Sequence, residues 1–139
     1  MLLSITSRSE NGIAILQIHG SLTLGPRLRT FQSRADRALT EAGCTGLVLN
    51  FSSVSVLDSA GVGELVMIHS TASSRGIPVA LVRASPRVKE LLRVTRLHAL
   101  FACADDERTA LRQMPSLGFE QIAQTQVAHQ SQQRVGMHA

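Results

Sequence analysis

The chain has no tryptophan, no tyrosine and only four phenylalanines among 139 residues. Without flat rings to stack bases on, a single-stranded nucleic-acid surface is disfavoured. Cysteine is nearly as scarce. Cys44 and Cys103 stand far apart with no C-x-x-C spacing, which argues against a disulfide framework or a zinc site and leaves two small residues expected to be buried. The five histidines show no metal-ligand spacing either. No apolar run approaches the ~20 residues needed to cross a bilayer, and MLLSITSRSE lacks the apolar centre of a signal peptide, so the expectation is a cytoplasmic protein with no membrane segment.

Hydrophobic residues make up 44% of the chain, enough for the core of one ordinary domain. The net charge of +4 is modest, although six basic residues, Arg75, Arg83, Arg87, Lys89, Arg93 and Arg96, fall in one stretch. With so few aromatics, that stretch reads as a solvated basic face or a docking surface for an acidic protein, not as a direct nucleic-acid site.

Along the chain, LLSIT and IAILQIH flank Asn11-Gly12, a pair suited to a tight hairpin turn. From Pro26 to Ala42 the residues Leu28, Phe31, Ala35, Leu39 and Ala42 recur at helical spacing, and Gly43 supplies a stop. GLVLNF reads as a strand covered on both faces, followed by a linker, SSVSVLD. A second helix follows, with Val62, Leu65, Val66, His69 and Ala72 or Ser73 as its inward stripe. Next come a buried strand IPVALV and a short helix opened by Ser85-Pro86 and carrying Val88, Leu91, Leu92 and Thr95. LFAC is a further short strand, and Asp105, Asp106 and Glu107 load the first turn of a last helix. This alternation implies an α/β layer fold with largely parallel strands. The pattern stops near Met114. Residues 115–139, with six glutamines and few strong charges, read as a flexible C-terminal tail.

The segment that carries chemistry is VLDSAGVGEL, residues 56–65, where a strand-like run meets an acid, a hydroxyl and two glycines at a helix start. Loops at the C-terminal ends of parallel strands are where ligands are met, and the free N–H groups of a helix N-terminus favour an anion. Either Ser59 or Asp58 therefore caps the helix, or Ser59 is a hydroxyl that can carry a phosphate, and a cap and a phosphate acceptor are compatible. Gly61 and Gly63 leave the first turn open to a large partner. Enzymatic readings fit poorly. Leu57 stands where a G-x-S-x-G elbow needs glycine, no G-K-[ST] phosphate loop exists, and His69 lies about three turns along the same helix from Ser59.

LVLNFSSVSVLDSAGVGELV resembles the signature of STAS domains, in particular the free-standing bacterial anti-sigma-factor antagonists, and GIPVALVRASPRVKELLRVTRLHALFACADDERTAL is similar to the family's remaining segment. The resemblance covers about residues 3–114 and implies a STAS domain over 1–114: a small mixed β-sheet, an N-terminal hairpin plus parallel strands, with about four α-helices. It implies a regulatory protein, not an enzyme, with no cofactor and a monomer as the default. In the family the unphosphorylated domain binds an anti-sigma factor that is itself a serine kinase of ATPase fold, and so releases a sigma factor. The kinase phosphorylates the serine matching Ser59, and a metal-dependent phosphatase restores it. By the same resemblance Asp58, Ala60, Gly61 and Gly63 belong to the motif, Asn50 to the strand end, and Ser52 and Ser53 to the loop of the partner surface. Gly20, Ser21, Leu22 and Thr23 form the neighbouring loop, where many relatives carry an acid just after Gly20 and this chain has Ser21. The alternative is a STAS docking subunit of a stress-signalling or lipid-transport complex that lacks a phosphorylation switch.

Overall fold

The computed structural model describes residues 3–114, and the segment read as a tail lies outside the described residues. Strands β1 (Ser4–Glu10) and β2 (Ile13–Leu22) form the opening hairpin, antiparallel from Ser4↔His19 to Glu10↔Ile13. At its turn Asn11 and Gly12 have φ of 53° and 83°. Positive φ at both central residues gives the turn twist that matches the strands. The chain continues through α1 (Leu28–Thr40), β3 (Gly46–Leu57), α2 (Ser59–Ser74), β4 (Val79–Val82), α3 (Pro86–Val94), β5 (Ala102–Ala104) and a last helix, α4, over 107–114.

The sheet order is β1-β2-β3-β4-β5, with every pair after the first parallel. Parallel crossovers are right-handed. Because the strands are added in one direction only, α1, α2 and α3 fall on one face of the sheet, and α4 covers the other. The side chains follow this division at period two. Leu47, Leu49, Phe51, Val79 and Leu81 join Phe31, Leu65, Ile68 and Leu92 in the larger core. Val48, Ala80 and Val82 join Ala110 and Met114 in the smaller one. GLVLNF and IPVALV are buried at every position, as strands covered on both faces must be.

Four local expectations change. SSVSVLD is not a linker: β3 runs on to Leu57, paired with β2 as far as Leu22↔Leu57 through two register shifts. The alternation Ser53-Val54-Ser55-Val56 was the strand signal. The inward stripe of α2 is Gly61, Val62, Leu65, Ile68 and Ala72, with Val66 outside and His69 half-buried, edge-on to Phe101. The close seating of Gly61 against the end of β2 sets that rotation. Ala42 and Thr95 are exposed, beyond the ends of α1 and α3. Cys103 is exposed on the edge strand β5, whereas Cys44 packs against the core.

Asn50, the one buried polar side chain among the described residues, anchors α4. Its Nδ2 donates to Glu107 Oε2 at 2.6 Å, and its Oδ1 accepts from the Ser52 N–H at 2.9 Å. Arg8 Nη2 donates to Glu107 Oε1 at 2.6 Å. Burial pushes the Glu107 carboxyl upward, but the hydrogen bonds from Arg8 and Asn50 outweigh it and hold the group below its ordinary value. A depressed carboxyl stabilises the fold above its unfolded pKa, and that contribution disappears as pH falls through the lower folded value. Glu107→Ala should cost about 1–3 kcal/mol by stranding the Asn50 amide. Arg8→Ala, half-exposed, should cost at most about 1 kcal/mol. Urea melts at pH 7 and pH 3 check both, with the gap between wild type and Glu107→Ala expected to narrow at the acid end. Equal losses for the two variants at pH 7 would contradict the assignment of Asn50 as the anchored group.

Candidate functional site at the start of helix α2

The chain leaves β3 at Leu57 and enters α2 after a single residue, Asp58, whose extended backbone (φ −107°, ψ −176°) makes it the N-cap. Its carboxylate works in two directions. Oδ1 accepts from the Gly61 N–H at 2.9 Å, which satisfies one of the helix's orphan donors, and Oδ2 accepts from the Leu24 N–H at 2.9 Å. The Asp58 N–H itself donates to the Leu22 carbonyl at 3.3 Å. One side chain therefore fastens the β2–α1 loop to the start of α2. The N–H of Leu24, and next that of Gly61, hold the carboxyl below its ordinary value, so Asp58 is ionised at neutral pH.

With Asp58 as the cap, Ser59 is the first helical residue. Its side chain is exposed, and its hydroxyl makes no hydrogen bond among the described residues. The two readings of the Asp-Ser pair thus divide between the two residues: the acid caps, and the hydroxyl is free for a partner. Ala60 is half-buried beside it.

The two glycines also divide. A Cβ on Gly61 would lie 2.2 Å from the Leu22 carbonyl oxygen and 2.6 Å from Leu57 Cδ1, so Gly61 is where α2 presses onto the end of β2. A Cβ on Gly63 would meet nothing within 4 Å. Gly63 alone is an opening on the surface.

Of the other expected site residues, Gly20, Ser21 and Leu22 are not loop residues but the last three residues of β2, held there by pairing with β3, and only Thr23 lies in the loop beyond it. Ser21 pairs with Val56 and Leu22 with Leu57. Leu22 is fully buried and contributes its carbonyl, while Ser21 Oγ lies 3.2 Å from Ser55 Oγ. Asn50, Ser52 and Ser53 are not gathered here. Asn50 is seven residues before Leu57, about 20 Å back along the strand, and faces α4. Ser52 and Ser53 are exposed on mid-β3, with Gln17 Nε2 donating to Ser52 Oγ at 3.4 Å. The sequence reading overlooked Leu24, whose side chain is 82% exposed beside the clamp, and Val56, 48% exposed at the end of β3. An apolar residue between Thr23 and Gly25 in a loop was the available signal. His69, buried enough to be pushed toward its neutral form, lies about 15 Å along α2 from Ser59 against Phe101.

Residues 4–110 match the STAS domain family, and the chain belongs to that family. Solved structures share the fold. An anti-sigma factor antagonist described as putative, from Thermotoga maritima, is 22% identical with a TM-score of 0.73, over 80% of this chain and 94% of that one. The anti-sigma factor antagonist SpoIIAA in its unphosphorylated form is 18% identical with a TM-score of 0.67, over 78% and 95%. The Bacillus cell fate determinant SpoIIAA in the phosphorylated form is 17% identical with a TM-score of 0.63, over 78% and 98%. No helix among the described residues is long and apolar enough to cross a membrane.

The geometry separates substitutions that look alike on paper. Gly61→Ala should destabilise by about 1–3 kcal/mol or more through overpacking, whereas Gly63→Ala should be neutral or stabilising by up to about 1 kcal/mol. Asp58→Ala should cost about 1–2 kcal/mol, and Ser59→Ala at most about 0.5 kcal/mol. The Asp58 contribution is present above the unfolded carboxyl pKa and lost as pH falls through the depressed folded value. Chemical denaturation at neutral and acid pH measures all four. A destabilised Ser59→Ala with an unaffected Asp58→Ala would reverse the assignment of cap and free hydroxyl.

Proposed function

We propose that this protein is an anti-sigma-factor antagonist whose unphosphorylated surface around Ser59 binds an anti-sigma factor, and that phosphorylation of Ser59 ends the binding. The observation that carries the reading is the division of labour at the helix start: Asp58 takes the capping and clamping bonds, which leaves the Ser59 hydroxyl exposed and unbonded. A free hydroxyl on a rigid helix start, next to open Gly63, is what a kinase active site needs to reach. Membership of the STAS family and the fold shared with anti-sigma factor antagonists support the same role, regulatory and not enzymatic.

The proposed partner is an anti-sigma factor of ATPase fold that is also the serine kinase, with a metal-dependent phosphatase to reverse the mark, and the proposed setting is the cytoplasm. The switch works by charge. Phosphorylation adds about −1.5 to −2 charges, next to the carboxylate of Asp58. Unit charges ~6 Å apart at an effective dielectric of ~20 repel by roughly 3 kcal/mol, and each ~1.4 kcal/mol is tenfold in affinity. At a helix N-terminus the phosphate does not unwind the helix, so binding is lost without loss of fold.

Intact-mass analysis after incubation with Mg-ATP and each ATPase-fold serine kinase of the source tests this directly. One added phosphate, absent in Ser59→Ala, is expected with one of them. No phosphate with any kinase would favour a STAS docking subunit without a phosphorylation switch.

A further inference from the structure

Beside the start of α2 lies a groove of about 420 Å³ between the end of β3 and α3. Its walls are Val56 and Leu57 on the strand side and Val88, Leu91 and Val94 on the helix side, with Arg87 at the rim. Two of these side chains are large, apolar and in water: Val56 is 48% exposed and Val94 63%. Exposed apolar side chains gathered along one groove mark a contact site. Its charge says what kind. Glu90 also borders the groove, but its carboxylate is taken by Arg93, whose Nε donates to Oε2 at 3.0 Å. Lys89 is outside the walls of the groove. Arg87 has no hydrogen bond or ion pair among the described residues, so it is the uncompensated charge of the groove.

We propose that this groove docks an acidic amphipathic helix of a partner protein, its apolar face against Val56, Leu91 and Val94 and a carboxylate on Arg87. The groove supplies what such a helix requires, an apolar trough with a cation on the rim, and a basic helix would meet Arg87 as a like charge. The groove's preference is independent of the chemistry at Ser59. That one partner spans both places, Leu57 being two residues from Ser59, rests on the functional reading above, which the mass analysis tests on its own.

The test uses the full chain, isotopically labelled, titrated with two synthetic amphipathic helices that share a leucine face and differ in carrying glutamates or lysines on the other. The glutamate peptide should shift amide resonances of residues 55–57 and 85–94 and bind at least about tenfold more tightly than the lysine peptide. Raising salt should narrow that preference. Arg87→Glu and Val94→Glu, both at exposed positions, should each weaken it about tenfold. Equal or tighter binding of the lysine peptide, shifts centred on β1 or α1, or no shift with either peptide would overturn the proposal.

Discussion

The carboxylate of Asp58 is the contact on which the site depends. Two oxygens, both bonded to backbone N–H groups, join parts of the chain 34 and 3 residues away. The bonds fix the loop after β2 against the start of α2. Gly61 is the steric counterpart of this electrostatic clamp. Only a residue without Cβ lets the helix sit on the Leu22 carbonyl, and the clamp closes because the helix sits there. A platform results that presents the exposed Ser59 hydroxyl.

The topology explains why the platform faces outward. Strands are added in a single direction, so the crossover helices share one face and the β2–α1 and β3–α2 connections emerge side by side at the same end of the sheet. Extended pairing of β3 with β2 carries Val56 and Leu57 out to that end, where α3 alone leaves them partly uncovered. Far from it, Asn50, Glu107 and Arg8 close the opposite face by holding α4 in place. The α4 anchor and the platform are thereby separated in space, while Asp58 and Gly61 serve both the fold and the shape of the platform.

Much of this was legible in the sequence where a local rule acts alone. Asn11-Gly12 suited a tight turn, GLVLNF and IPVALV read as buried strands, and the Ser85-Pro86 start of α3 is matched by the Val88 N–H donating to Ser85 Oγ. The motif around Ser59 was placed correctly at a strand-to-helix junction. What could not be read depends on long-range geometry. That Asp58 and not Ser59 is the cap, that its second oxygen reaches Leu24, and that Gly61 is packed while Gly63 is open all follow from how β2 ends against α2. Asn50 shows the same limit. The resemblance to STAS domains assigned it to the partner surface, but side-chain alternation turns it to the other face, toward a carboxylate 57 residues away.

Under the proposed switch, charge on Ser59 removes partner binding from a surface that otherwise stays as it is. Isothermal titration of the proposed anti-sigma partner against the unphosphorylated and the stoichiometrically phosphorylated protein, with amide exchange of α2 followed in both, tests it. The account predicts affinity at least about tenfold weaker for the phosphorylated form, with protection of α2 unchanged. Equal affinities, or an α2 that loses protection on phosphorylation, would contradict it.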